Sequence, residues 1–182
     1  SINTRVECGR IYAENCGQEG ISISGDQYSN FDLLYAAACG QLAINEGFHS
    51  GVYISGPVHD SSFGTIVGYE NKLANVSLIS DGGTFDLESN FFGVIFSYKG
   101  GFGQAGNTGV LLGQGGIAGS GPSSCTFGVI STQLDDTNGV MIQESRNCTI
   151  LKVKTINSKN QGVYVKNTSG FTILDLEAYD NQ

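Results

Sequence analysis

At 182 residues, with 14% charged side chains, 27 glycines, two prolines and no tryptophan, the chain has the composition of a single all-β domain with many tight turns. A formal net charge of −8 excludes a nucleic-acid surface, which needs clustered Lys and Arg, and is compatible with neutral glycans as partners. No apolar run is long enough to span a bilayer as a helix, so membrane insertion is not expected.

Residues 10–13 (Arg-Ile-Tyr-Ala) are the first strand candidate. No amphipathic helix caps this end, and the chain stops in mid-repeat at Gln182, so residues 1–182 read as one domain taken from a longer chain. From Gly20 a loose pattern sets in. Gly20-Ile21-Ser22-Ile23 leads to Ser29-Asn30-Phe31-Asp32-Leu33-Leu34, and Gly51-Val52-Tyr53-Ile54 leads to Ser62-Phe63-Gly64-Thr65-Ile66-Val67. Residues 74–79, 84–88 and 91–96 read as further strands, with loops inserted between them. Residues 93–121 hold eleven glycines but neither the phosphate-loop nor the dinucleotide spacing, so they read as turns and close backbone approaches.

The last third repeats itself. Segments opening at Gly116, Gly139 and Gly162 each reach an apolar anchor nine residues later (Cys125, Cys148, Phe171), followed by Thr126, Thr149 and Thr172. A fixed offset of 23 residues, with β-branched residues at alternating positions, predicts a β-solenoid in which each repeat is one coil. Cys125 and Cys148 then stack as buried free thiols. The five cysteines lack the paired spacing of a zinc site, and no metal or other cofactor is expected.

Alternation assigns Phe171, Ile173, Leu174 and Leu176 to the core, and stacking places Lys152 beside Asp175 and Lys154 beside Glu177 as structural ion pairs. Asp86 and Glu88 share an outward face about 6.5–7 Å apart, within the separation that glycoside hydrolysis requires of its two carboxyl groups. Asp135 and Asp136 form a second acidic site in a turn, and Glu144 lies near the next turn. His49 and His59 read as surface residues, because no nucleophile motif accompanies them. Among the tyrosines (28, 35, 53, 69, 98, 164 and 179), Tyr53, Tyr69 and Tyr98 are candidates for stacking on sugar rings.

The repeats Gly139-Val140-Met141-Ile142-Gln143-Glu144-Ser145-Arg146-Asn147-Cys148-Thr149-Ile150-Leu151 and Gly162-Val163-Tyr164-Val165-Lys166-Asn167-Thr168-Ser169-Gly170-Phe171-Thr172-Ile173-Leu174 resemble coils of the pectate-lyase-like superfamily of right-handed parallel β-helices. The resemblance is close over residues 116–182 and loose over 20–115. The sequence blocks of pectate lyases are absent, and Asp135-Asp136 is the one echo of the polygalacturonase blocks. In its irregular coils, inserts and unpaired cysteines the chain is most similar to bacteriophage tailspikes. That likeness implies a homotrimer on a virion tail, or else a secreted protein. It also implies that the chain binds and cleaves surface polysaccharide as a glycoside hydrolase, or serves as a non-catalytic adhesion or stalk module.

Overall fold

The computed structural model describes residues 5–25, 27–40, 50–80, 87–100, 108–114 and 119–182. Among these residues the structure is all β. Its strands are β1 (Glu7–Glu14), β2 (Ile21–Ser24), β3 (Asn30–Ala37), β4 (Val52–Ser55), β5 (Val58–His59), β6 (Ser62–Tyr69), β7 (Val76–Ile79), β8 (Leu87–Glu88), β9 (Phe91–Tyr98), β10 (Val110–Leu112), β11 (Thr126–Gln133), β12 (Val140–Gln143), β13 (Thr149–Ile156), β14 (Val163–Lys166) and β15 (Thr172–Tyr179).

The eight-residue strands form one sheet in the order β1-β3-β6-β9-β11-β13-β15, and the shorter strands form a second in the order β2-β4-β7-β10-β12-β14. Every pairing is parallel. A third, narrow face consists of β5 on β8 and single bridges that continue from Glu88 through Ser123 and Arg146 to Ser169. The chain visits the faces in turn and lays each pass against the last, which fits a β-solenoid. Paired positions lie 23 residues apart at Glu7–Asn30, Thr126–Thr149 and Thr149–Thr172. They lie 32 apart at Asn30–Ser62, 29 at Ser62–Phe91 and 35 at Phe91–Thr126.

Local chemistry explains the folding at each corner. A residue of positive φ follows every long strand (Asn15, Ala38, Glu70, Lys99, Leu134, Asn157, Asp180), and a second set precedes the six long strands after β1 (Tyr28, Asp60, Ser89, Ser124, Asn147, Gly170). Most are not glycine, so each left-handed turn costs about 1 kcal/mol. Rung-to-rung hydrogen bonds offset that cost: Ala38 N–H donates to the Tyr69 carbonyl (3.0 Å), Glu70 N–H to that of Tyr98 (2.9 Å) and Lys99 N–H to that of Gln133 (2.9 Å).

Between the sheets lies an apolar core. Phe31, Phe63, Phe92 and Phe127 occupy one register position and stack with centroid separations of 5.2, 4.9 and 4.9 Å. Ile150 continues the column, and Leu34, Ile66, Ile95, Ile130 and Val153 form a second one. Val52, Ile54, Val76, Leu78, Val110, Leu112, Val140 and Ile142 close the core from the shorter sheet.

Cys125 and Cys148 are free, buried and in contact on adjacent rungs. Burial pushes the Cys125 thiol well up, while a hydrogen bond from that thiol lowers Cys148. The same anchor position holds polar residues upstream: Ser29 N–H donates to Ser61 Oγ (3.1 Å) and Ser61 N–H to Asn90 Oδ1 (2.9 Å).

Two expectations need correction. Leu174 and Leu176 are 67% and 53% exposed. Leu174 falls, with Leu151 opposite it, at a position that the pairing register skips on both strands and where the side chain faces outward, and no described strand packs beyond Leu176. Lys154 is in register with Glu177 but does not bridge it. Lys152 takes both carboxylates, Asp175 at 3.0 Å and Glu177 at 2.6 Å, because its long stem reaches between them. Lys154 instead lies 5.9 Å over the Tyr179 ring.

The skipped position is crowded in the middle rungs. A Cβ on Gly64 would sit 2.7 Å from the Asp32 carbonyl, and one on Gly128 would press still harder on that of Gly93. Backbone cannot yield as a flexible side chain does. Gly128→Ala should therefore destabilise the protein by about 2 kcal/mol in denaturant titration.

Candidate functional site

The corner at the C-terminal end of the long strands gathers most of the surface chemistry. Ala37, Tyr69, Tyr98, Gln133, Ile156 and Tyr179 are in register there; Tyr69 and Tyr179 are exposed, whereas Ala37 is buried. The Tyr69 and Tyr98 rings stack with centroids 5.0 Å apart and planes 10° apart. The left-handed residues that follow swing out beside them. Lys99 Nζ reaches Glu70 Oε1 at 2.8 Å and lies 5.4 Å from the Tyr98 centroid. Its hydrogen bond to Glu70 raises the Lys99 pKa.

One residue past each left-handed turn the chain faces inward again, and this decides the fate of the acidic pair. Asp135 is completely buried. Its Oδ1 accepts from Gly100 N–H (2.9 Å) and Ser97 Oγ (3.0 Å). Asn71 and Asn181 occupy the equivalent position on other rungs and accept from Cys39 N–H (2.8 Å) and Ser158 N–H (3.0 Å). Burial pushes the Asp135 carboxyl up to about 7. The Gly100 N–H, Ser97 and the nearby but poorly aligned Thr132 hydroxyl pull it the other way. Asp135 Oδ2 itself, with Thr132 Oγ1, Thr137 Oγ1 and Ser158 Oγ, has no well-formed hydrogen-bond partner.

Asp136 turns outward. It pairs with Lys159, and together with Lys99 and Leu134 these residues line a groove of about 230 Å³. The structure thus brings Tyr69, Tyr98 and Asp136 to one corner, with Asp135 beneath it as a structural acid.

The other predicted residues lie elsewhere. Asp86 is outside the described residues, as is His49. Glu88 is exposed on β8, in register with the half-buried His59. Glu144 sits at a left-handed turn after β12 and accepts from Asn167 Nδ2 at 2.8 Å. Tyr53 is only 8% exposed, in the middle of β4, so a bound chain does not reach its ring. Lys99, Leu134 and Lys159 were not anticipated. The available signal was the recurrence of a Tyr-charged pair at two strand ends, Tyr69-Glu70 and Tyr98-Lys99.

Among the described residues no helix is long and apolar enough to cross a membrane, and no group of three or more His, Cys, Asp or Glu side chains is placed to hold a metal. Comparison with protein families, curated proteins and solved structures finds no match to this chain.

Proposed function

We propose that this protein is a glycan-binding module built on a right-handed parallel β-helix of the pectate-lyase-like kind, engaging a surface polysaccharide at the Tyr69–Tyr98 corner. The observation that carries this reading is the pair of stacked tyrosines beside a groove rimmed by Lys99, Asp136 and Lys159. Apolar ring area with polar handles suits a sugar, which has apolar ring faces and hydroxyls at its edge. The acidic chain as a whole favours an uncharged partner. A tailspike-like homotrimer on a virion tail is the setting this reading implies, and a secreted adhesin is the alternative.

The test is titration of the protein with purified polysaccharides, read by calorimetry. Tyr69→Ala and Tyr98→Ala should each weaken binding about tenfold or more, since an aromatic contact of this kind is worth on the order of 1 kcal/mol beyond the area it buries. Wild-type affinity in both variants would refute the site.

Hydrolysis is a second reading, favoured by Glu88. That carboxylate is exposed and makes no ion pair among the described residues, so it is available to act with Asp86. Reducing-sugar release that disappears in Glu88→Gln would support it; no release by the wild type would exclude it for the glycans tried.

A further inference from the structure

The outer face of the long sheet changes its chemistry along the solenoid. β6, β9 and β11 carry no Asp, Glu, Lys or Arg. Phe91, Val94 and Phe96 project from β9 on the side opposite the buried Phe92 and Ile95, and Phe91 and Val94 are 46% and 40% exposed. Charge returns on the flanking strands: Glu7, Arg10 and Glu14 on β1, Asp32 on β3, Lys152 and Lys154 on β13, Asp175 and Glu177 on β15. An uncharged apolar centre between charged rims is the anatomy of a protein interface, and it stands out in a chain of net charge −8.

The face is also complementary to itself. One outward column runs through Arg10, Leu33, Thr65, Val94, Val129, Lys152 and Asp175, paired position by position. Val94 has Arg10 three rungs to one side and Asp175 three rungs to the other. A twofold axis through Val94, parallel to the strands, sets two solenoids face to face with their long axes antiparallel. Val94 then meets Val94, Thr65 meets Val129, Leu33 lies along the stem of Lys152, and Arg10 meets Asp175. In the next outward column Phe96 meets Phe96, and Lys154 reaches the Tyr35 ring of the second copy. No like charges fall opposite one another in these columns. The rungs turn little enough for this: successive phenylalanine rings behind the face lie within 6°, 7° and 9° of parallel, against about 20–25° between strands of an ordinary sheet. Rungs about 4.8 Å apart and strands rising about 3.3 Å per residue give this seven-stranded face roughly 750 Å². A stable protein pair buries about 800 Å² on each partner.

We infer that this face binds a second copy of the chain, in an antiparallel twofold dimer centred on Val94. The dimer does not depend on the glycan-binding reading, and it differs from the homotrimer that the tailspike likeness implies.

Sedimentation velocity of the whole chain over a range of micromolar concentrations tests it. The wild type should reach twice the chain mass of 19.2 kDa. Val94→Glu sets two carboxylates against each other on the axis and should raise the dimer dissociation constant about a hundredfold or more. Val94 is exposed, so circular dichroism should show the fold unchanged. Arg10→Glu and Asp175→Arg should each weaken the dimer about tenfold, because each sets like charges together at two symmetry-related contacts. Glu177 still holds Lys152 when Asp175 is replaced. An equimolar mixture of these two variants should recover wild-type affinity, since one contact of the mixed pair is reversed in sign and the other is native. A monomeric or trimeric wild type would overturn the proposal, as would a dimer that Val94→Glu leaves intact. Failure of the mixture to recover would overturn the antiparallel register. If the wild type is monomeric and Val94→Glu instead abolishes binding to a neutral polysaccharide such as dextran, the face belongs to a glycan and the dimer is wrong.

Discussion

Between about pH 4 and pH 7, Asp135 should remove about 4 kcal/mol of stability from the wild-type protein, and Asp135→Asn should abolish that component. The folded carboxyl titrates near 7, against 3.8 for an unperturbed aspartate. Below the unperturbed value both states hold the proton, and the contribution is fully present. As pH rises, the unfolded chain gives up its proton first, so the contribution falls until the folded carboxyl also ionises near 7, and above that it is lost. The cause is geometric: Oδ1 is satisfied by Gly100 and Ser97, but an ionised Oδ2 has only poorly placed hydroxyls around it. Asparagine keeps the acceptor and supplies an N–H in place of the proton, as Asn71 and Asn181 already do at the same position. Urea titrations of both proteins from pH 4 to 8 give the curves. Other carboxylates cancel in their difference. A flat difference would show that Asp135 ionises as freely in the folded protein as in the unfolded chain.

Phe92→Ala should cost about 3–5 kcal/mol, as expected for emptying an aromatic site in a close-packed core. Phe92 is fully buried, and its ring lies between Phe63 and Phe127, 4.9 Å from each. Truncation breaks two stacked contacts and leaves a void that neighbouring rungs, locked in register, cannot collapse to fill. Phe31 should be less sensitive. It ends the ladder, has one stacked neighbour at 5.2 Å, and is 5% exposed. Guanidinium denaturation of the two alanine variants measures the contrast, and equal losses would mean that the ladder is not a shared packing unit.

The regular rungs were legible because their spacing is strict. Thr126, Thr149 and Thr172 fall in register, as do Cys125, Cys148 and Phe171 by their offset, and each is visible as a 23-residue echo. The upstream rungs were harder to read. Their spacings vary, and their anchor position carries Ser29, Ser61 and Asn90, which serve by hydrogen bonding rather than by apolar burial and so leave no hydrophobic signal. Asp135 was hidden for a related reason. Two adjacent acids before Thr137-Asn138-Gly139 look like a solvated turn, and only the inward swing after Leu134 separates a buried acid from an exposed one. The corner itself was half visible. Tyr69 and Tyr98 stand out as candidates, but the spacing of 29 that stacks them is not the repeat period, so their contact had to come from the structure.

The locked register also limits how such a molecule can change its length. Excision of one whole circuit, such as the 23 residues from Val140 to Gln161 and Gly162, would bring Val110 against Val163 with every inward side chain still inward. Loss of a single residue early in β13 would reverse the facing of all that follows in the strand, driving Lys154 into the space now held by Val153 and displacing Thr155 from its buried position. Growth and shrinkage are therefore tolerated by the full turn inside the strands, and by single residues only at the corners.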